Sequence, residues 1–287
     1  MTLAHRVTVS VLTHDRAESL ETTLRHLMAS AEDAPILVVD NGSTDKTEEV
    51  IARFSPRVGH VRLHENHGAA GRNAGILAAT TPFVALCDDD AWWERGSLAR
   101  AAEALETYPR LAVVTARIQV GPEGREDPTN AIMACSPLAA RADLPGPALL
   151  GFMAGASMVR RAALLDVGGF DPRFFLGGEE ILVAVDLARA GWTMSYLPTA
   201  TVRHVPSAAR DSEARRFLLA RNALWFHWLR RPLKVALRRT ADVLKRAPDD
   251  PAVRRALVSA IRGLPWVLRE REPVPEDIES DLCKLSL

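Results

Sequence analysis

The first half of the chain alternates short runs of β-branched residues with stretches whose apolar residues recur at helical spacing. Val7–Leu12 and Ile36–Val39 are predicted strands. Between them, Glu18–Ala29 places Leu20, Leu24, Leu27 and Met28 on one face of a predicted helix. Strands that alternate with helices are typical of an α/β fold, so we predict a mainly parallel central sheet flanked by helices.

Further predicted strands and helices continue this alternation. Ser43 is the predicted N-cap of a helix over Asp45–Phe54. Further predicted elements of the first half are a strand at Val61–His64, a glycine-rich turn at Gly68–Gly71 that opens a helix to Ala79, a strand at Phe83–Cys87, a helix at Arg95–Thr107 and a strand at Leu111–Ala116.

The second half is less regular. Val120–Pro147 has weak periodicity and is predicted to be a long or mobile connection, and Ala200–Val202 is a predicted strand. Helices are predicted at Ala162–Val167, Ile181–Ala190 and Phe217–Leu229. The sequence after Pro232 is basic and is also predicted to be helical. The acidic, proline-containing stretch Glu270–Glu279 receives no predicted structure. We therefore expect one domain over 1–229, in two halves at 1–117 and 118–229, and a helical extension with a tail over 230–287.

Charge and composition narrow the class of protein. Lys and Arg equal Asp and Glu at 36 each in 287 residues, which gives no reason to expect nucleic-acid binding. Three scattered cysteines, no signal-peptide pattern and no apolar run of membrane-spanning length favour a cytoplasmic protein. Basic residues from Arg230 to Arg246 form either a solvated helix face or a surface for peripheral membrane contact. The apolar stripe over Leu218–Trp228 serves either the core or a homo-oligomer interface.

Three consecutive carboxylates end the Phe83–Cys87 strand. Asp88, Asp89 and Asp90 lie where ligands bind in open α/β sheets, directly before Trp92 and Trp93. On an extended segment, side chains i and i+2 point the same way, so Asp88 and Asp90 can converge on one cation while Asp89 faces elsewhere. Carboxylate oxygens favour Mg²⁺ or Mn²⁺, whose coordination shell is completed by phosphate oxygens and water. The alternative is a solvated acidic turn.

Two weaker motifs flank this one. Asp40 ends the second strand in the segment DNGSTD and has the acceptor geometry for a ring N–H of uracil, thymine or guanine, although such a segment is also an ordinary turn. In NHGAAGRNAG, small residues permit close backbone approach and Arg72 has the geometry to hold phosphates. A small-residue helix start that packs on a sheet would look the same.

In order, these segments resemble the family 2 glycosyltransferases, in particular a rhamnosyltransferase-like subgroup, from about Val7 to Asn222. The matching text is VSVLTHDR, ILVVDNGSTDKT, NHGAAGRNAG, FVALCDDDAWW, GGFDPRFFLGGEE, AGW and YLPTATVRH. The resemblance implies the GT-A fold, a nucleoside-diphosphate sugar donor (UDP-, dTDP- or GDP-linked), a divalent Mg²⁺ or Mn²⁺ ion and inversion at the anomeric carbon. The acceptor is a small molecule, a glycan or a lipid-linked compound.

The resemblance also implies roles for individual residues. Thr13 and Asp15 lie in the nucleotide pocket, Asp40 recognises the base and Arg72 lies near the nucleotide. The acidic triplet follows the family's pattern for nucleotide and metal, with Asp88 at the ribose or metal, Asp89 among the nucleotide-binding residues and Asp90 on the metal. His204 completes the metal shell in some relatives, although a lone histidine is often structural.

The family's acidic pair falls at Glu179 and Glu180, and Glu180 takes the position of the catalytic base that deprotonates the acceptor. Leu182 stands where relatives have a second Asp, which leaves the acceptor class and the activity itself open. Glu179 would contact the acceptor, unless the pair only caps its helix. Trp92 and Trp93 either stack on sugar or pack in the core. Two other functions compete with transfer: nucleotidyl transfer on a similar fold, and binding of a sugar nucleotide without catalysis.

Overall fold

The structure, a computed structural model, describes residues 2–206 and 212–286. Within these ranges the strands form one ten-stranded sheet. Its strands are β1 (Val7–Thr13), β2 (Ile36–Asn41), β3 (Val58–Leu63), β4 (Phe83–Asp88), β5 (Ala91–Trp93), β6 (Leu111–Val120), β7 (Arg125–Glu126), β8 (Ala148–Leu149), β9 (Ser157–Arg160) and β10 (Thr193–His204).

The sheet is mixed and runs in the order β3-β2-β1-β4-β9-β6-β10-β5, with β7 beside β6 and β8 beside β10. Strands β3, β2, β1 and β4 are parallel, and β10 is parallel to β6. Between these two groups β9 is antiparallel to both of its neighbours, so β4 and β6 point the same way. The carboxyl ends of six strands therefore lie along one edge.

The helices cover both faces of the sheet. They are α1 (Ala17–Ser30), α2 (Thr47–Arg53), α3 (Arg72–Ala78), α4 (Ser97–Thr107), α5 (Pro128–Ala134), α6 (Arg161–Asp166), α7 (Glu179–Arg189), α8 (Ser212–Arg230), α9 (Leu233–Arg246), α10 (Pro251–Arg269) and α11 (Glu276–Lys284). Successive side chains of β4 alternate between two apolar layers: Ala85 and Cys87 pack with α1 and α4, and Val84 and Leu86 pack with α6, α7, α8 and α10.

Most elements predicted from the apolar pattern are confirmed, including β1, β2, β4, α1 and the helices α6 to α8. The predicted N-cap of α2 is wrong. Thr47 begins this helix, and the side chain of Ser43 instead accepts a hydrogen bond from the backbone N–H of Asp15 at 3.0 Å. The loop after β1 is thereby joined to the loop after β2.

Two other predictions need correction. The connection over 120–147 contains β7 and helix α5, whose first turn is capped by Asp127 through a 2.8 Å bond from the N–H of Thr129. The tail left without predicted structure contains α11, which buries Leu282 in the apolar cluster formed with α7, α8 and α10.

The predicted strand Ala200–Val202 belongs to a much longer strand, β10. In the described parts of the chain, every helix is too short or too polar to cross a lipid bilayer.

Candidate active site

The carboxyl edge of the sheet brings together the residues that the motifs singled out. Thr13 and Asp40 are register partners on β1 and β2, and Asp88 on β4 is paired with Leu12. His204 ends β10 beside Ala91, so it lies next to the acidic triplet although 114 residues separate it from Asp90 in the sequence. Parallel strands place these side chains at one crevice.

Asp40 is fully buried at the end of β2. One carboxylate oxygen, Oδ1, accepts a 2.8 Å hydrogen bond from the N–H of Ser43. The other, Oδ2, has no hydrogen-bond partner among the described residues; a guanidinium nitrogen of Arg62 lies 3.8 Å away and Nε2 of His60 lies 4.0 Å away. A buried acceptor in this state is suited to an N–H donor from a ligand.

Asp89 is turned toward the protein. Its carboxylate accepts a 2.9 Å bond from the hydroxyl of Thr13 and lies 3.0 Å from Arg16, and its backbone carbonyl accepts bonds from Ser19 and Thr23 of α1. Burial raises the pKa of Asp89 to about 7, against the opposing effects of Arg16 and Thr13. Its present contacts fasten the acidic turn to α1, and its predicted contact with nucleotide stays a prediction.

The extended geometry predicted for the acidic triplet is wrong. Strand β4 ends at Asp88, and Asp89 and Asp90 form a turn before β5. The turn is narrow because the carbonyl of Asp90 accepts a 2.8 Å bond from the N–H of Val205, at the end of β10. Asp88 and Asp90 accordingly have different partners.

Asp90 faces His204. Its Oδ1 lies 3.4 Å from Nε2 of His204, and its Oδ2 accepts a 3.0 Å bond from Arg16. Burial opposes ionisation of Asp90, but the contacts with His204 and Arg16 are stronger and lower its pKa below the usual value. The carboxylate is therefore ionised at neutral pH, as a metal ligand must be.

These two side chains fit a divalent cation by their chemistry, since a carboxylate oxygen and an imidazole nitrogen are accepted ligands for Mn²⁺. Among residues 2–206 and 212–286, no group of three or more His, Cys, Asp or Glu side chains is placed to hold an ion. An ion held by Asp90 and His204 would therefore need oxygens from water or phosphate. The predicted contribution of Asp88 to the same ion stays a prediction.

Asp88 is joined to Arg72 instead. The guanidinium of Arg72, nearly buried at the start of α3, donates to Oδ1 of Asp88 at 2.5 Å. The other oxygen of Asp88 faces Gly155, where an added Cβ would come within 2.4 Å of it. A glycine at this position thus leaves the space that the carboxylate occupies.

Glu179 and Glu180 begin α7 after two glycines with positive φ. Oε1 of Glu180 accepts a 2.6 Å bond from the N–H of Ala154, and Oε2 of Glu179 is buried without a partner among the described residues. Burial, and next the charge of Glu179, raise the pKa of Glu180 to about 7. The pKa of Glu179 is also raised, mainly by burial. Arg72 lies close enough to both glutamates to offset part of this effect.

Leu182, which replaces the second acidic residue of the family pattern, points into the protein. It is buried in the apolar cluster that also contains Val183 and Phe170. At this position of α7 an apolar side chain is therefore compatible with the fold.

The two tryptophans after the acidic triplet pack in the core, as one of the two interpretations of the sequence expected. Trp93 is fully buried and its indole N–H donates to the carbonyl of Leu86 at 3.2 Å. Trp92 is stacked on His26 of α1, with ring centroids 3.9 Å apart. Both side chains are buried, and their predicted contact with sugar or acceptor stays a prediction.

Asp15 joins two loops of the crevice. With a positive φ of 51°, it turns its carboxylate toward the loop after β2, where it accepts a 2.6 Å bond from the N–H of Thr44. This bond is the main reason that the pKa of Asp15 lies below its usual value. Arg16, which bridges Asp89 and Asp90, was not predicted; the only signal was its place at the end of the segment VLTHDR.

Comparisons with known proteins agree with this geometry. Residues 8–168 match the family model for glycosyl transferase family 2. The N-acetylglucosaminyl-diphospho-decaprenol L-rhamnosyltransferase of Mycobacterium tuberculosis is 28% identical over 276 residues, covering 80% of this chain and 88% of that protein. The pre-mycofactocin glycosyltransferase of the same organism is 33% identical over 213 residues, covering 70% of this chain and 43% of that protein.

Solved structures agree on the fold. The mannosyltransferase PcManGT from Pyrobaculum calidifontis, crystallised with GDP-Man and Mn²⁺, superposes with a TM-score of 0.60 at 21% identity, covering 98% of this chain and 86% of that one. The GT-A fold and the helical C-terminal extension expected from the sequence are confirmed. The chain belongs to glycosyl transferase family 2 and is a glycosyltransferase with the GT-A fold.

Proposed function

We propose that this enzyme transfers a sugar from a UDP-, dTDP- or GDP-linked donor to an acceptor hydroxyl with inversion, in the presence of Mg²⁺ or Mn²⁺. Glu180 is the base. It removes the acceptor proton as the acceptor oxygen bonds to the anomeric carbon and the bond from that carbon to the diphosphate breaks. The diphosphate leaves without needing a proton of its own.

The observation that carries the proposal is the state of the Glu180 carboxylate. Its Oε1 is fixed by the N–H of Ala154 at 2.6 Å, and its pKa is raised to about 7 by burial and by Glu179. A general base works best when its pKa lies near the working pH, because it is then ionised and still basic enough to take the proton. A residue that only capped α7 would not need this environment.

The other residues divide between the nucleotide and the diphosphate. Asp40 accepts the ring N–H of the base on Oδ2, and Thr13, Asp15, Asp88 and Asp89 line the nucleotide pocket. Asp90 and His204 would hold the divalent cation, with Asp88 as its further predicted ligand; when bound, the cation supplies Lewis-acid stabilisation of the charge on the leaving diphosphate. Arg72 adds a positive charge at the same place, and Glu179 faces the acceptor side.

For the acceptor we propose a lipid-linked compound. Four apolar side chains that are more than a third exposed lie on segments next to Glu180. Met153 precedes Ala154, whose N–H binds Glu180; Phe175 and Leu176 precede the two glycines before α7; and Leu219 lies over Gly177. Such a rim suits an acceptor with an apolar part. One relative is named for a decaprenol-linked acceptor. We further propose that the enzyme works in the cytoplasm, in peripheral contact with a membrane.

The test combines two active-site variants with one control. Glu180→Gln keeps the bond from the Ala154 N–H but cannot take a proton, and Asp90→Ala removes a metal ligand. Both should abolish transfer from UDP-, dTDP- and GDP-sugars with Mn²⁺, whereas only Asp90→Ala should weaken Mn²⁺-dependent nucleotide binding. Glu103→Gln, at an exposed position of α4, should leave both unchanged.

Product analysis separates the competing functions. Transfer, or its side reaction with water, releases a nucleoside diphosphate. Release of pyrophosphate from a nucleoside triphosphate would instead show a nucleotidyltransferase, and absence of any release, with nucleotide binding intact, would show a binding protein. Full activity of either active-site variant would refute the role assigned to that residue.

A further inference from the structure

Helix α9 carries an apolar row on its outer face. Leu233, Leu237 and Leu244 are each more than half exposed, and together with Ala241 they fall within about 80° of the helix circumference. Lys234, Arg238 and Lys245 form a basic row next to them. The opposite face, with Val235, Ala236 and Val243, is buried.

Helix α10 repeats the arrangement. Val258, Ile261 and Leu268 are each more than half exposed and lie in one row with Pro265. Arg255, Arg262 and Arg269 follow at intervals of seven residues along the edge of this row. Arg255 pairs with Glu213 and Arg269 with Glu270, but their side chains remain 61% and 74% exposed.

The inner face of α10 is fixed to the body of the enzyme, so its outer face has no freedom to turn inward. Gly263 lies directly on the Trp225 ring, where an added Cβ would come within 2.6 Å of the indole nitrogen. That nitrogen donates to the carbonyl of Ala260 at 3.2 Å. Ala256 and Val267 are buried on the same side.

The charge of these two helices stands apart from the rest of the chain. Residues 233–269 contain nine Lys or Arg and three Asp or Glu, a net charge of +6. Because the whole chain has 36 of each, the remainder has 27 basic and 33 acidic residues, a net charge of −6. The positive charge is therefore concentrated on the segment that also exposes the apolar rows.

We propose that the outer faces of α9 and α10 are a docking surface for an anionic lipid bilayer. The leucine, valine and isoleucine side chains enter the headgroup and acyl boundary, and the neighbouring lysines and arginines contact anionic headgroups. Nucleic acid would be contacted by the basic rows alone and gives no reason for the apolar ones. The contact itself does not depend on the proposed reaction; its use, to bring the active site to a lipid-linked acceptor, rests on that proposal.

Vesicle flotation with the full chain tests the surface. We expect binding to vesicles of phosphatidylcholine with phosphatidylglycerol, little binding to phosphatidylcholine alone, and loss of binding as salt is raised. Arg255→Gln, Arg262→Gln and Arg269→Gln together should weaken binding about a hundredfold, since each basic residue near an anionic surface contributes about 1 kcal/mol. Leu233→Ser, Leu237→Ser and Leu244→Ser together should weaken it at least about tenfold.

Matched controls use exposed residues elsewhere. Arg57→Gln with Arg95→Gln and Arg125→Gln, and separately Leu77→Ser with Ile132→Ser, should bind as the unaltered protein does. Hydrolysis of donor to nucleoside diphosphate by the α9 and α10 variants reports on the active site separately. Failure to bind vesicles that contain phosphatidylglycerol would overturn the proposal. The proposal would also be overturned if the control variants lost vesicle binding to the same extent. Two further results would overturn it and point to another partner: binding to duplex DNA that is unchanged in the leucine variants, or self-association that the leucine changes abolish in a protein that does not bind vesicles.

Discussion

At the scale of single residues, the crevice contains polar atoms whose arrangement the fold alone does not explain. Oδ2 of Asp40 is buried without a hydrogen-bond partner among the described residues, and an unmet acceptor of this kind costs about 1–3 kcal/mol. Oε2 of Glu179 is in the same state. The burial of these two oxygens is explained if a bound ligand supplies the missing hydrogen-bond donors.

Asp40→Asn tests this for the nucleotide base. The asparagine oxygen would keep the bond from the Ser43 N–H, so the amide NH₂ would take the place of Oδ2 and face the ring N–H, donor against donor. We expect binding of the preferred nucleoside diphosphate to weaken about 10- to 100-fold, corresponding to about 1–3 kcal/mol. Calorimetric titration with UDP, dTDP and GDP measures the change. Asp33→Asn, at an exposed position, is the control, and unchanged affinity in Asp40→Asn would show that Oδ2 does not contact the base.

The pKa of Glu180 determines how activity depends on pH. Since burial and the charge of Glu179 raise it to about 7, the fraction of ionised base falls about tenfold for each pH unit below that value. We expect kcat/KM to rise with pH and level off above about 7. In Glu179→Gln the like charge is gone, so the inflection should move to lower pH. An inflection that stays in place, or a flat profile between pH 5 and 8, would rule out Glu180 as the titrating base.

The same raised pKa has a consequence for stability. The folded protein holds this proton more tightly than the unfolded chain, for which the usual value is 4.5. The contribution of Glu180 to stability is therefore complete below about pH 4.5 and is lost as the pH rises through about 7. In Glu180→Gln, the melting temperature should lose this part of its pH dependence.

At the scale of elements, the segment between β8 and β9 contacts two acidic side chains of the site, Glu180 and Asp88. The N–H of Ala154 donates to Glu180, and Gly155 leaves room for the Asp88 carboxylate. One short segment thus fixes the distance between the proposed base and the Arg72–Asp88 pair. A change of about 1 Å here should affect catalysis more than folding.

Gly155→Ala tests that inference. The new Cβ would lie 2.4 Å from Oδ2 of Asp88, so the carboxylate that binds Arg72, or the segment itself, must shift. We expect kcat/KM to fall about a hundredfold. Gly151→Ala is the matched control in the same segment, because a Cβ there would have no neighbour within 4 Å. Parallel measurements of melting temperature show whether the loss is catalytic; similar activity in both variants would contradict the positioning role.

Local sequence was sufficient for much of the fold and for part of the site. Strand β1 is rich in valine, and β2 and β4 begin with continuous apolar runs that Asp40 and Asp88 follow directly. Parallel pairing with β1 therefore brings these two carboxylates to one edge of the sheet. What could not be predicted depends on distant contacts. The turn at Asp89–Asp90 forms because β10 returns antiparallel to β5 and its end binds the carbonyl of Asp90.

Arg16 and α11 were missed for the same reason. An arginine after a strand has no special pattern until two carboxylates from 73 and 74 residues further on are placed beside it. The acidic α11 has only Ile278, Leu282 and Leu285 on its apolar side, and it is held by contacts to α7 and α8. Helices as short as this depend on tertiary packing for their stability.

At the scale of the whole molecule, the C-terminal extension is fastened to the catalytic part. Helices α10 and α11 share one apolar cluster with α7 and α8. Ion pairs between the two parts join Arg173 to Glu270 and Arg189 to Glu272. The division into 1–229 and 230–287 stays a proposal about function, in which the first part carries the site and the second the membrane contact.

Glu279→Gln measures how firmly α11 is held by Arg231, the residue that follows α8. The Arg231 side chain is fully buried and its charge is met by both oxygens of Glu279, at 2.6 and 2.9 Å. Removing one partner of a buried pair leaves the other charge uncompensated, so we expect the free energy of unfolding to fall by about 3 kcal/mol. Urea unfolding followed by tryptophan fluorescence and by circular dichroism should give one coincident transition, since Trp225 and Trp266 lie in the shared cluster.

The matched control is Glu276→Gln, an exposed position in the first turn of the same helix, where the loss should stay below about 1 kcal/mol. Equal stability of the two variants would mean that α11 does not hold Arg231 in solution. A separate early transition of the extension would mean that it folds independently of the catalytic part. In that second case the outer faces of α9 and α10 would no longer be rigidly oriented relative to the active site, and membrane docking would not by itself orient Glu180 toward a lipid-linked acceptor.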